Sequence, residues 1–134
     1  LVDRLMDAYP YVVIDNEAGM EHLSRRTTRR MDLLLLVSDP TAVGVATAAR
    51  LSELAEEMGL RVGRKVLLVN QVRHGKEEGA ERLAEGTGLE HFLLGEDDRV
   101  RDGSAEGSPL QGDEALAEEL RALVPLLFPS DRRE

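Results

Sequence analysis

The sequence has no cysteine. That excludes disulfides and thiolate metal sites within these residues, and it is compatible with a cytoplasmic location, which is the expectation. Positive charge is scarce: 17 basic residues stand against 26 acidic ones, for a net charge of −9. A general nucleic-acid binder or a membrane-surface binder needs a basic face, so both classes are disfavoured. The one local exception is Arg25-Arg26 with Arg29-Arg30, which reads as a solvated helix face. No apolar run is long enough to span a bilayer, and none of these residues reads as a signal peptide. Histidine is sparse, and His22, His74 and His91 show no zinc-ligand spacing, so each reads as a surface or internally satisfied side chain.

What is present suits one compact domain: 134 residues, 42% of them hydrophobic. The first residues, Leu1-Val2-Asp3-Arg4-Leu5-Met6-Asp7, already have helical periodicity with no cap before them. This predicts that the chain is a piece of a longer one. Tyr9-Pro10 ends the helix, since proline lacks a backbone donor and disfavours helix in the residue before it.

Three continuous apolar runs then read as strands buried on both faces of a parallel sheet: Tyr11-Val12-Val13-Ile14, Leu33 to Val37, and Val66-Leu67-Leu68-Val69. His91-Phe92-Leu93-Leu94 reads as a short fourth strand. Helices are predicted over 20–30, 41–58, 75–85 and 114–128. Thr41 to Met58 is the clearest, with Val45, Ala48, Ala49, Leu51, Leu54 and Ala55 at helical spacing and Gly59 as C-cap. Asp113 is the expected cap of the last helix. The Gly-, Asp-, Ser- and Glu-rich stretch 95–112 reads as a loop, and 129–134 as a polar tail. Alternation of strands and helices predicts an α/β protein, a mainly parallel sheet with helices on both faces. Ligands in such sheets sit at the carboxyl ends of the strands, so the informative residues follow Ile14, Val37, Val69 and Leu94.

After the first strand comes Asp15-Asn16-Glu17-Ala18-Gly19-Met20-Glu21. A carboxylate at a strand's end can hold a Mg²⁺-bound water near a nucleotide's phosphates, and the glycine after it allows close backbone approach to a γ-phosphate. The alternative for Asp15 is an ordinary helix cap. After the third strand, the carboxamide of Asn70 can both donate and accept, which matches the edge of adenine; a turn-forming asparagine is the alternative. Asp39-Pro40 ends the second strand, and Asp39 reads as a turn or cap residue.

Residues 11–23, with Ser24-Arg25-Arg26-Thr27-Thr28, Asp32 and the strand ending Val37-Ser38-Asp39-Pro40, resemble the switch segment and following strand of MinD/ParA-type P-loop ATPases. The version Glu17-Ala18-Gly19-Met20-Glu21-His22-Leu23 looks most like the accessory ATPases that assist nickel insertion into carbon monoxide dehydrogenase. The resemblance covers residues 1 to about 75 and is looser beyond. It implies a P-loop NTPase fold lacking its N-terminal half, with residues 1–128 as the C-terminal part of the domain. It further implies ATP and Mg as cofactors, nickel as cargo of the full protein, a homodimer through the nucleotide face, and carbon monoxide dehydrogenase as partner. Asp15 would position magnesium, Gly19 would sense the γ-phosphate, Asn70 would recognise adenine, and Glu96 would lie near base and ribose. At that last loop the family carries Pro-x-Asp/Glu where this chain has Gly95-Glu96-Asp97.

No Gly-x-x-x-x-Gly-Lys-Ser/Thr pattern occurs, and Gly63-Arg64-Lys65 opens a strand rather than a phosphate-binding loop. In the family the strand before that loop pairs with the strand at 11–14. Without it an apolar edge is expected beside residues 11–15, with marginal stability, easy aggregation and weak or no nucleotide binding. Two other readings stay open. One is a positioning or partitioning ATPase of the same superfamily, disfavoured because the polar side of the last helix is acidic at Glu114, Glu118 and Glu119, with only Arg121 basic. The other is a receiver-like binding domain, which would need a lysine where the chain has Asn70.

Overall fold

The computed structural model describes residues 5, 7–16, 30–107 and 114–128. Within them lie three strands, β1 (Arg30–Ser38), β2 (Arg61–Val72) and β3 (Glu90–Gly95). Four helices accompany them: α1 (Ala42–Glu57), α2 (Glu77–Glu85), α3 (Asp98–Glu106) and α4 (Glu114–Leu127). The strands form one sheet in the order β1-β2-β3, parallel throughout. The α/β class with helices on both faces is therefore the observed one.

The central strand shows why. Val66, Leu67 and Val69 have no exposed surface, and Leu68 is buried. Successive side chains point to opposite faces. Leu67 and Val69 join Val45, Ala48, Ala55, Ala80 and Ala84 under α1 and α2. Val66 and Leu68 join Leu94, Leu123 and Leu127 under α4. An apolar run without alternation fits only a strand covered on both sides.

β1 departs from that expectation. Leu34, Leu36 and Ser38 are buried, but Leu35 and Val37 are 37% and 59% exposed. It is an edge strand, and the cluster under α4 reaches only Leu33 of it. Its outer apolar face is thus open.

The run Tyr11 to Ile14 is not a buried strand. It is extended, lies outside the sheet, and leaves Tyr11, Val13 and Ile14 at 65%, 81% and 41% exposure. An apolar extended segment needs a neighbouring strand for its backbone N–H and C=O groups. Among the described residues it has none, and Tyr11 instead meets Phe128 edge-on at 6.2 Å. Before it, Leu5, Asp7 and Ala8 are helical, as expected, with Tyr9 N–H donating to Leu5 O (2.9 Å). The helix expected over 20–30 falls mostly outside the described residues, and Arg30 already belongs to β1. Asp113 also lies outside them.

α1 starts and stops as the sequence predicts. Thr41 Oγ1 accepts from Gly44 N–H (3.0 Å), and Gly59 takes a left-handed φ of 73° after the last turn. The stretch 95–112, read as loop, contains α3. Asp97 caps it, its side chain accepting from the N–H groups of Arg99 (2.8 Å) and Val100 (3.0 Å), and Gly107 closes it at φ 69°. α3 buries no residue, so it has no apolar stripe for a periodicity argument to detect.

His91 links β3 to α2. Its Nε2 lies 3.0 Å from Glu81 Oε1 and its Nδ1 3.1 Å from Leu89 O. Both partners are acceptors, so only the doubly protonated ring can donate to both. The Glu81 hydrogen bond, aided by the Leu89 carbonyl, raises the His91 pKa above its ordinary value against the opposing effect of burial. A raised folded-state pKa contributes stability that is fully present below the unfolded value near 6.5 and is lost as pH rises through the folded value. The stability difference between the wild type and Glu81→Gln is therefore expected to be larger at pH 6 than at pH 8. Urea melts at both pH values check this, and equal differences would contradict it.

Candidate functional site

Because the sheet is parallel, the carboxyl ends of all three strands lie at one end. Three short segments meet there: 38–41 after β1, 70–73 at the end of β2, and 95–98 after β3.

In the first, Asp39 is a turn residue. Its Oδ1 accepts from Thr41 N–H (3.1 Å) and Thr41 Oγ1 (2.6 Å), while Ser38 Oγ donates to Asp39 O (2.7 Å). A Cβ on Gly44 would fall 2.1 Å from Asp39 Oδ1, so glycine is what lets this carboxylate fold back over the helix start.

In the second, β2 carries a bulge. Val69 pairs with Leu93 and Val72 with Gly95, so β2 has one residue more than β3 over the same stretch. Gln71 absorbs it at φ 61°, a conformation costing a non-glycine residue about 1 kcal/mol or more. The bulge displaces Asn70 from regular pairing at the end of the central strand. Its Oδ1 accepts from Gln71 N–H (2.9 Å). A carboxamide oxygen has a second lone pair and the amide two N–H donors, so Asn70 retains the donor/acceptor pair that an adenine edge requires.

In the third, Glu96 N–H donates to Val72 O (2.9 Å), binding the loop after β3 to the bulge. The Glu96 carboxylate is only 18% exposed and sits between Arg73 (3.4 Å) and Arg101 (3.5 Å). Gly95 N–H donates to Glu119 Oε2 of α4 (3.0 Å).

Of the residues singled out from the sequence, Asn70 and Glu96 lie at the carboxyl ends of the adjacent strands β2 and β3. Asp15 is exposed on the extended segment outside the sheet, and Gly19 lies outside the described residues. The sequence reading missed Gln71, Arg73, Arg101 and Glu119. A left-handed glutamine and ion pairs between separate elements leave no spacing signal. Arg64 and Lys65 are tied to structural partners, Arg64 to Glu90 and the Leu126 carbonyl, Lys65 to Glu56 and Ser52 O. An open groove of about 420 Å³ lies between α1 and α2, lined by Ala42, Val45, Ala49, Leu83 and Thr87. Among the described residues there is no cluster of three or more His, Cys, Asp or Glu that could hold a metal, and no helix long and apolar enough to cross a membrane.

No protein-family model matches the chain. It is 38% identical, over 89 residues, to an uncharacterized ATP-binding protein of Methanocaldococcus jannaschii; the match covers 66% of this chain and 35% of that protein. The chain is thus a relative of proteins described as ATP-binding. The same kinship shows in a 42% identity over 50 residues with the carbon monoxide dehydrogenase accessory protein CooC of Rhodospirillum rubrum, covering 37% of this chain and 19% of CooC. The crystal structure of the Pyrococcus furiosus cell division ATPase MinD matches the fold with a TM-score of 0.58, at 22% identity, over 91% of this chain and 56% of MinD. The chain spans about a third of the first curated relative. Kinship with ATP-binding proteins and the P-loop ATPase fold thus agree with the reading made from residues 11–40.

Proposed function

We propose that this chain is the base-recognition and switch portion of an ATP-binding ATPase. The observation that carries the reading is Asn70, held on a strained bulge at the carboxyl end of the central strand and joined through Val72 to the 95–97 loop. Strain of this kind persists where the surroundings over-determine it, typically at ligand sites. Asn70 recognises the adenine edge, and Glu96 keeps the neighbouring loop in place through Arg73 and Arg101. Asp15 fits a magnesium role, since Mg²⁺ needs only one or two carboxylates beside the phosphates it bridges. Bound Mg²⁺ would neutralise charge building up on the phosphates. Gly19 reads the γ-phosphate through its backbone N–H.

At the finer level, the reading is a metallochaperone ATPase serving nickel insertion into carbon monoxide dehydrogenase, acting as a cytoplasmic homodimer that closes through its nucleotide face. It is supported by the Glu17-Ala18-Gly19-Met20-Glu21-His22-Leu23 segment and the 42% identity with CooC.

The test is ATP binding by the full natural chain that contains these residues. Asn70→Ala is expected to weaken ATP binding about tenfold and to bring ATP and GTP affinities close together, as expected for loss of paired polar recognition in a site. Equilibrium titration with both nucleotides measures this. Unchanged affinity and selectivity would remove Asn70 from the site.

A further inference from the structure

Resting on the nucleotide reading above, we propose that Glu119 of α4 is a positioning residue for base selection, acting through Gly95. Like β1, β3 is an edge strand of the described sheet, with its inner side on β2. Glu96 N–H turns inward to Val72 O. Along a strand successive N–H groups alternate sides, so the Gly95 N–H points outward, away from β2. Glu119 accepts it at 3.0 Å, from 24 residues further along the chain. A Cβ at position 95 would stand 3.3 Å from Glu119 Oε1, slightly tighter than ordinary contact, and 3.5 Å from Oε2, within it. The carboxylate therefore lies close against the Gly95 backbone.

The rest of the α4 packing on this face is apolar, through Leu123 and Leu127 against Val66, Leu68 and Leu94. Apolar burial is non-directional and does not by itself fix how α4 stands relative to the strand end. Directional links from α4 include Glu119 to Gly95 at the carboxyl end of the sheet and the Leu126 carbonyl to Arg64 further down. Glu119 therefore sets the 95–97 loop from outside, while Val72 O sets it from inside and Arg73 and Arg101 hold its carboxylate. Asn70 lies on the bulge between the Val69–Leu93 and Val72–Gly95 pairs, and its link to that loop runs through Val72, whose carbonyl accepts from Glu96 N–H. Loosening Glu119 lets the loop move relative to Asn70, and base selection is where this registers.

The experiment uses the full natural chain containing residues 1–134, with a fluorescent ATP analogue displaced by ATP or GTP. Glu119→Ala is expected to weaken ATP binding about fivefold, the scale of one charge-assisted hydrogen bond to a backbone donor on an accessible surface. The loss should narrow the preference for ATP over GTP and appear in KM more than in kcat. Glu119→Gln keeps an acceptor and should stay within about twofold of wild type. Gly95→Pro removes the N–H, so adding Glu119→Ala to it should change nothing further. Amide exchange at Gly95 should quicken in Glu119→Ala with or without nucleotide. If wild type binds ATP and Glu119→Ala matches it in affinity and preference, the proposal is wrong and the nucleotide reading stands. If Glu119→Ala weakens ATP and GTP equally and lowers the melting temperature, Glu119 is merely structural and the proposal is wrong. If wild type binds no ATP at millimolar concentration, the nucleotide reading fails and takes this one with it.

Discussion

Asp15→Asn is expected to cut magnesium-dependent ATP hydrolysis by the full natural chain at least about a hundredfold, the scale on which losing one preorganised electrostatic contact to a reacting phosphate acts. ATP binding measured in EDTA should change only a few-fold. Asp15 is exposed and outside the sheet, so removing its charge disturbs no packing. Surface substitutions of that kind usually shift stability by less than about 0.5 kcal/mol. A loss of turnover with an unchanged melting curve would therefore be chemical. Phosphate release measured across a magnesium titration gives the answer. Hydrolysis at the wild-type rate would remove Asp15 from the magnesium role.

Leu67→Ala is expected to be the most damaging core substitution. Leu67 has no exposed surface and sits mid-way along the central strand, among Val45, Ala48, Ala55 and Ala84. A close-packed interior relaxes only partly around the space left behind. Large-to-small changes at such sites cost about 3 kcal/mol, from lost transfer free energy plus the cavity. For a domain of this size that lowers the melting midpoint by about 10 °C. Val37→Ala is the paired control. Val37 is also an apolar β-branched residue in a strand, but it is 59% exposed and should be nearly silent in a thermal melt. If the two changes were equally costly, the one-sided burial of β1 described above would be wrong.

The comparison of those two residues shows what was legible in the sequence. Both Leu33 to Val37 and Val66 to Val69 are unbroken apolar runs, and the pattern reads the same in each. Which run is covered on both faces depends on the neighbouring strands and on where α4 comes down, and that is tertiary information. The run at 11–14 makes the point more sharply. It has the composition of a buried strand, yet no described strand pairs with it, and Tyr11, Val13 and Ile14 are exposed. With the open face of β1, it leaves apolar surface uncovered among the described residues.

At the strand ends, position was predictable and connectivity was not. The rule that ligands sit at carboxyl ends points to the segments after Val69 and Leu94, and Asn70 and Glu96 lie on those segments. The bulge at Gln71, the two arginines on Glu96 and the reach of Glu119 to Gly95 join residues up to 24 positions apart, and no short-range spacing encodes them. α3 escaped notice for a related reason. Its capping residues Asp97 and Gly107 are present, but a helix that buries nothing has no periodic stripe. End signals without a stripe are easily taken for loop.

The most direct test of the account is amide-exchange mapping of the full natural chain with and without Mg-ATP. The account predicts slowed exchange at 70–73 and 95–98, the two segments at the carboxyl ends of β2 and β3, with the α1–α2 groove unchanged. Protection confined to that groove, or none at either place under saturating ATP, would contradict the assignment of the strand ends as the nucleotide site.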